Sequence, residues 1–356
     1  MILDDKRVLV TGGTGSLGAT VVRRLLRGDV GRPARITVFS RDEAKQNEMR
    51  LSFLHRHAAT DEVIYASSQQ VLSFRIGDVR DFAAVRAAVE QADVVINAAA
   101  LKQVPSCEYF PLEAVKTNIL GASNIVRAIR ESGARIETVV GISTDKACKP
   151  VNVMGMTKAL MERIFAEANL ECPATRFVCV RYGNVIASRG SVVPLFLDQI
   201  AHGGPVTITT EEMTRFLLPL DRAVDTVFSA IETGRAGETY VPRVPAARIV
   251  DVASTLIDGR DIRIVVTGVR PGEKTHEIMV SEEECHRTIA RGDYYVILPM
   301  LPELRDREPF TQALTREYSS SEVNLRGPDL RASLAPFMGG DPHSITDGSA
   351  TTEPLG

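Results

Sequence analysis

Residues 143–158 read STDKACKPVNVMGMTK. The β-branched run Ile136–Ser143 has the character of a strand, and a helical pattern begins at Val153. Ser143, Thr144, Asp145 and Lys146 therefore stand at a strand end, offering hydroxyls, a carboxyl and an amine. These are groups that exchange protons with a bound molecule. Lys158 follows on the helix, four residues after Met154, so the two share one face. A lysine there suits a proton acceptor at 154, yet a thioether takes no proton and is a weak hydrogen-bond acceptor. Three readings are open: a site without its base, a site that uses another base, and no site. Taken singly, Asp145-Lys146 reads as a solvated turn and Lys158 as a surface lysine. Their neighbours in the chain decide the matter.

Strand-like runs at 7–11, 35–40, 72–76, 93–99, 136–143 and 176–182 alternate with helical patterns at Ser16–Arg27, Asp42–His57, Asp81–Gln91, Pro111–Glu131 and Val153–Asn169. That alternation predicts an α/β fold, a doubly wound parallel sheet of Rossmann type with helices on both faces. Ligands of such sheets collect at the carboxyl ends of the strands, where the 143–146 cluster falls. After about residue 186 the pattern loosens. Residues 1–186 are read as a dinucleotide-binding domain and 187–335 as a smaller C-terminal α/β lobe for substrate, with 219–236 returning to the first domain. Residues 338–356 are rich in Gly, Ser, Thr and Pro and read as a disordered tail.

TGGTGSLG (11–18) directly follows the first strand and opens a helix. Gly12 permits the turn, Gly15 admits a pyrophosphate against the backbone, and Gly18 lets helix and sheet pack closely. Thr14, Ser16 and Leu17 fill out that turn, and the helix N-terminus adds free N–H groups. No Gly-Lys-Ser/Thr follows, which excludes a P-loop. At the end of the second strand an NAD enzyme usually carries an acidic residue, whereas this chain has Ser40 and Arg41. The guanidinium suits a 2′-phosphate, so NADP is favoured over the alternative, NAD. Asp42 and Glu43 suit a helix start. Lys45 is assigned to the same site, and Asp78 either holds an adenine amino group or caps the next helix. Val79, Asn118 and the small residues Ala98, Ala99 and Ala100 complete the expected cofactor surface.

A net charge of -3 over 356 residues points to no nucleic-acid partner, and no apolar run nears the ~18–20 residues that span a bilayer. The first strand starts at Arg7, leaving no room for a signal peptide, and the five cysteines show no CxxC or metal spacing. The expectation is a cytoplasmic protein without a membrane partner or a metal. Cys148 and His276 have no partner at catalytic spacing and read as structural or peripheral.

The segments TGGTGSLG, FSRDEAKQ, NAAALKQVPSCEYFPLEAVKTNILGA, STDKACKPVN, VRYGNVIASRGSVVP, MTRF and RPGEKTHE, spread over about residues 5–325, resemble the extended short-chain dehydrogenase/reductases. Within them the chain is most similar to the UDP-N-acetylglucosamine 4,6-dehydratases of bacterial surface-glycan synthesis. The resemblance implies a redox-neutral lyase with tightly bound NADP. Hydride leaves sugar C4, the resulting ketone acidifies C5, a base removes that proton, the C6 hydroxyl departs as water, and hydride returns to C6. It also implies that Asp145 protonates the C6 hydroxyl and that Lys146 is the C5 base, a neutral amine with its pKa lowered by burial or nearby cations. Lys158 would hold the nicotinamide ribose and Thr144 the sugar 4-OH. Met154 departs from the usual tyrosine and matches a capsule-type branch with MGxxK, in which dehydration is coupled to C5 epimerisation.

For the UDP-GlcNAc substrate, or a closely related UDP-hexosamine, the resemblance points to VRYGNV and SRGS, with Asn184 and Arg189 at the nucleotide diphosphate. Arg270 and Glu273 in RPGEK suit an anion and ribose hydroxyls. Arg215, Lys102, Val192 and Thr207 are further substrate candidates. A homo-oligomer, dimer to hexamer, is expected. Two other classes stay open: a UDP-sugar 4-epimerase or oxidoreductase, and a non-catalytic UDP-sugar or NADP-binding protein favoured only by Met154.

Overall fold

A computed structural model describes residues 1–53, 71–186, 191–305 and 309–338. Six parallel strands run from one edge of its main sheet: β1 (Arg7–Thr11), β2 (Arg35–Ser40), β3 (Leu72–Ile76), β4 (Val94–Asn97), β5 (Thr138–Thr144) and β6 (Arg176–Tyr182). Their spatial order is β3-β2-β1-β4-β5-β6, so the winding reverses between β1 and β4 and opens a crevice at the strands' carboxyl ends. This is the doubly wound α/β fold read from the sequence.

Alternate residues of each strand serve two cores, as the two-residue period of a strand requires. Val8, Val10, Val94, Ile96 and Val140 pack on one side with the helices Ser16–Arg27 and Leu220–Thr233. Leu9, Val95 and Val139 pack on the other with the helices Gly121–Ser132 and Val153–Glu171. Both faces are covered, so β4 is buried along its length.

Three departures from the expected elements shape the crevice. The fourth strand stops at Asn97, leaving Ala98–Ala100 free of the sheet. The helix expected over 111–131 is broken: Pro111–Ala114 is α-helical, Val115–Leu120 is a π-helix, and Gly121–Ser132 resumes the α-helix. A short helix at Val104–Tyr109, unmarked by any long period, precedes them. The helix expected at 42–57 begins at Glu43 and is described to Phe53; residues 54–57 lie outside the described residues.

The later chain rejoins the sheet more fully than its pattern suggests. Thr239–Pro242 pairs parallel with β6, and the hairpin Thr288–Arg291/Tyr294–Ile297 extends the sheet to nine strands. A separate core joins the helices Val192–Ala201, Ile249–Ile257 and Gly327–Met338 to the strand pair Val206–Ile208/Ile264–Val266. The residues expected as a tail lie outside the described residues beyond Met338. Among the described residues no helix is long and apolar enough to cross a membrane, and all five cysteines are free and buried.

A buried ion cluster fixes these parts under the end of β5. The Arg181 guanidinium, from β6, donates to Glu162 Oε2 at 2.6 Å and to Glu284 Oε2 at 2.8 Å. Burial raises the Glu284 carboxyl's affinity for a proton, but Arg181 outweighs it and holds the group at about 2. That stabilisation is complete above the ordinary carboxyl value of 4.5 and is lost as pH falls towards 2. Arg181→Met strands two buried carboxylates and should cost about 3–5 kcal/mol, read as a lower urea midpoint.

Candidate active site

Thr144 ends β5, and Asp145–Ala147 form one tight turn whose Lys146 N–H donates to Thr144 Oγ1. The next helix is docked onto that turn. Asn152 caps it by accepting from the Gly155 N–H at 2.8 Å, and a Cβ on Gly155 would lie only 2.1 Å from the Lys146 carbonyl oxygen. Only glycine fits at 155, and this contact sets where Met154 and Lys158 stand.

Asp145 is wholly buried. Its Oδ1 accepts from Thr144 Oγ1 at 2.9 Å and from Lys146 Nζ at 3.0 Å, while Oδ2 has no partner among the described residues. Lys146 Nζ also donates to Asn184 Oδ1 at 3.1 Å and stands 3.1 Å from Glu277 Oε1. Glu277, 1% exposed, also faces Arg215 Nε at 3.8 Å, and Arg215 Nη2 lies 3.5 Å from Glu273 Oε1. Lys146 thus sits between two buried carboxylates. Burial disfavours its charge, but Asp145 and then Glu277 outweigh that and raise the ammonium above the usual lysine value. The expectation of a lowered, neutral Lys146 is corrected here, because Glu277 brings a second carboxylate from a distant segment.

Lys158 is depressed instead, as burial also depresses Lys274. Burial pushes Lys158 down from 10.5 to about 8, while its Nζ donates to the Ile142 carbonyl at 2.8 Å. Met154 packs with Cys107, Ala114, Leu101 and Val104, so the position of a proton acceptor is apolar.

One cavity of about 730 Å³ joins these groups to the glycine turn. At one end it meets Gly12, Thr14, Gly15, Ser16, Leu17 and Gly18. Along its side lie Ser40, Arg41, Lys45, Asp78 and Val79, and then Ala98, Ala99 and Ala100. Thr144, Lys146, Met154 and Lys158 border its middle. Lys102, Asn184, Val192, Thr207 and Arg215 surround the far end with Arg270 and Glu273. Gly12 has φ 64°, and a Cβ on Gly18 would come within 2.6 Å of the Gly12 carbonyl oxygen. Both glycines therefore serve the tight turn, while Gly15 meets only one neighbour within 4 Å. The helix that follows has no side-chain cap and no acid in its first turn, so its N–H groups and positive dipole end face the cavity uncompensated. A dinucleotide fits this donor set.

Some expected site residues stand elsewhere. Asn118 is buried, with its amide spent on both backbone groups of Leu101 and on Thr157 Oγ1. It anchors the segment after β4 and does not border the cavity. Asp145 lies behind Lys146, outside the lining. Asp78 does not cap the next helix, since Asp81 accepts from Ala83 and Ala84 there. Asp78 instead pairs with Arg80 at 2.7 Å and faces Arg41 at 3.8 Å. Lys45 pairs with Asp42 at 2.8 Å. Arg189 lies outside the described residues. Residues missed in the sequence include Glu277, the last letter of RPGEKTHE, and the hydroxyls of Thr117 and Ser191. Those two hydroxyls belong to residues lining the cavity, and neither has a partner among the described residues. The π-helical turn brings Thr117 to the lining.

The chain matches a family model described as "Polysaccharide biosynthesis protein" over residues 8–299. It is 45% identical over 298 residues to a UDP-glucose 4-epimerase of Rickettsia canadensis, covering 82% of this chain and 83% of that one. Pen from Bacillus thuringiensis is a similar solved structure, with TM-score 0.83 and 31% identity over 94% of this chain and 98% of its own. DesIV, a dTDP-glucose 4,6-dehydratase from Streptomyces venezuelae with NAD and TYD bound, superposes with TM-score 0.63 at 20% identity, covering 76% and 86%. At that identity the likeness is one of fold.

The state of Lys158 has a measurable consequence. The unfolded chain keeps this lysine near 10.5 while the folded chain favours the neutral amine above about 8, so unfolding takes up protons between these values. Below pH 8 the burial costs up to roughly 3 kcal/mol, and stability from this group rises with pH from there. Lys158→Met should raise the unfolding free energy at neutral pH by ~1–3 kcal/mol and abolish the rise at higher pH, as urea titrations across pH would register.

Proposed function

The chain belongs to the polysaccharide biosynthesis protein family of nucleotide-sugar epimerases and dehydratases, and from that premise we propose that it is a UDP-N-acetylglucosamine 4,6-dehydratase that inverts C5. The observation that carries this reading is the Asp145-Lys146 pair, with Lys146 at the cavity, Asp145 directly behind it, and one Asp145 carboxylate oxygen unpaired among the described residues. A 4-epimerase needs proton exchange only at the 4-OH. Dehydration also needs a proton taken from C5 and one given to O6.

NADP, held by the Gly12–Gly18 turn and by Ser40, Arg41 and the Ala98–Ala100 segment, would supply reversible two-electron oxidation of the sugar. Lys158 would hold the nicotinamide ribose. Asn184, Arg215 and Arg270 are the donors for the diphosphate, and Glu273 accepts from ribose hydroxyls. Thr144 orients the 4-OH. Lys146, in its neutral form, takes the C5 proton, and Asp145, which lies behind it at 3.0 Å, supplies through Lys146 the proton that leaves with O6 as water. With methionine at 154, the 4-OH proton also falls to the Asp145-Lys146 pair. Looser control at C5 then permits inversion.

Tyr109, Phe110, Leu112, Leu120, Met156 and Leu160 are large, apolar and exposed on neighbouring helices. They support a homo-oligomer that buries them. Sedimentation of a single-chain mass at micromolar concentration would contradict it.

The names of relatives such as the Rickettsia canadensis protein favour a second reading, a UDP-sugar 4-epimerase. Incubation of the purified protein with UDP-GlcNAc separates the two. The expected product is lighter by one water and carries solvent deuterium at an inverted C5 when made in D2O. An isomer of unchanged mass would establish the epimerase instead, and retention at C5 would remove the inversion. Lys146→Ala and Lys158→Ala should each abolish turnover. Arg41→Ala should weaken NADPH binding roughly tenfold to a hundredfold and spare NADH, by fluorescence titration.

A further inference from the structure

We infer that Glu277 is a positioning residue for Lys146: it fixes the amine at the cavity and sets the pH at which that amine becomes available as a base. The inference rests on the dehydratase reading for Lys146's role at C5, but its geometry stands without it.

Glu277 ends the loop between the strands Ile264–Val266 and Ile278–Val280, and Arg270 and Glu273 of that loop border the substrate end of the cavity. The loop's end is pinned from behind. The Glu277 N–H donates to Ser320 Oγ at 2.9 Å, and the Ser320 N–H donates to the Glu277 carbonyl at 2.8 Å. The side chain is thereby aimed at the turn after β5, where Oε1 stands 3.1 Å from Lys146 Nζ. Oε2 is buried without a partner among the described residues. A fully buried carboxylate is costly unless a cation compensates it, and Lys146 is its nearest cation.

The charges around this pair come from several elements. Asp145 holds Lys146 from the same turn at 3.0 Å. Arg215, from the strand Thr214–Phe216, faces Glu277 at 3.8 Å and opposes the charge on Lys146. Lys274, on the loop itself, donates to the Cys148 carbonyl and adds positive charge near both. Asn184 contributes only its neutral amide oxygen. Of the two anions that keep a proton on Lys146, Asp145 also has the acid's part, so Glu277 is the one whose removal leaves the acid in place; its contact with Arg215 would show as a change in KM, apart from the labelling midpoint.

The test uses the full-length protein. Acetylation of Lys146 by acetic anhydride, followed across pH by peptide mass spectrometry, gives the midpoint of its deprotonation without turnover. In Glu277→Gln that midpoint should fall by roughly 1–3 pH units. The rising limb of kcat with UDP-GlcNAc should move down with it. Glu277→Asp keeps the charge but draws it back and should give an intermediate midpoint; it decides alone if the Gln variant does not fold. A midpoint unmoved in the folded variant, with kcat merely scaled down, would overturn the inference. Wild-type protein that does not dehydrate UDP-GlcNAc would count against the dehydratase reading, while the labelling midpoint would still decide the role of Glu277.

Discussion

One buried cation ties together the elements that carry the candidate site. Arg181 leaves β6 and bonds Glu162 from the helix that carries Lys158 and Glu284 from a short helix late in the chain. Ser143, two residues before Asp145, donates its hydroxyl to the same Glu162. A buried cluster of this kind adds little net stability over a well-packed apolar one, but it admits few alternative arrangements. It fixes β5, β6 and the lysine helix in one register, and Gly155 then seats the start of that helix against the Lys146 carbonyl. The functional groups inherit their positions from these two contacts.

Met154 is consistent with that arrangement. It packs with Cys107 and Ala114 in an apolar cluster at the border of the cavity, and its thioether offers no titratable group there. The titratable groups lie one strand-turn away, in Asp145 and Lys146, with Glu277 against Lys146. These three form a unit in which one ammonium separates two buried carboxylates, each with an oxygen unpaired among the described residues. Lys158 contributes differently. Its burial weakens its hold on a proton, a cost to stability of the sort found at functional sites.

Much of this was legible in the chain. The strands 7–11, 35–40, 72–76 and 176–182 match their expected bounds, because short β-branched runs between turn signals leave little latitude. The glycine turn was readable since its strand-to-helix setting restricts what glycines can do there. The charge state of Lys146 was not, because sequence shows its neighbour Asp145 and hides Glu277. An acidic residue in a charged loop carries no periodic mark of burial. The π-helical turn that brings Thr117 to the cavity, and turns Asn118 away from it, likewise has no period distinct from an α-helix.

The proposed dehydratase role of the Asp145-Lys146 pair is tested most directly by a substrate labelled at one carbon. UDP-GlcNAc carrying deuterium at C4 should yield a 4-keto product with that deuterium on C6. Recovery of the label on C4 of a 4-epimer, with the C6 hydroxyl intact, would contradict the account.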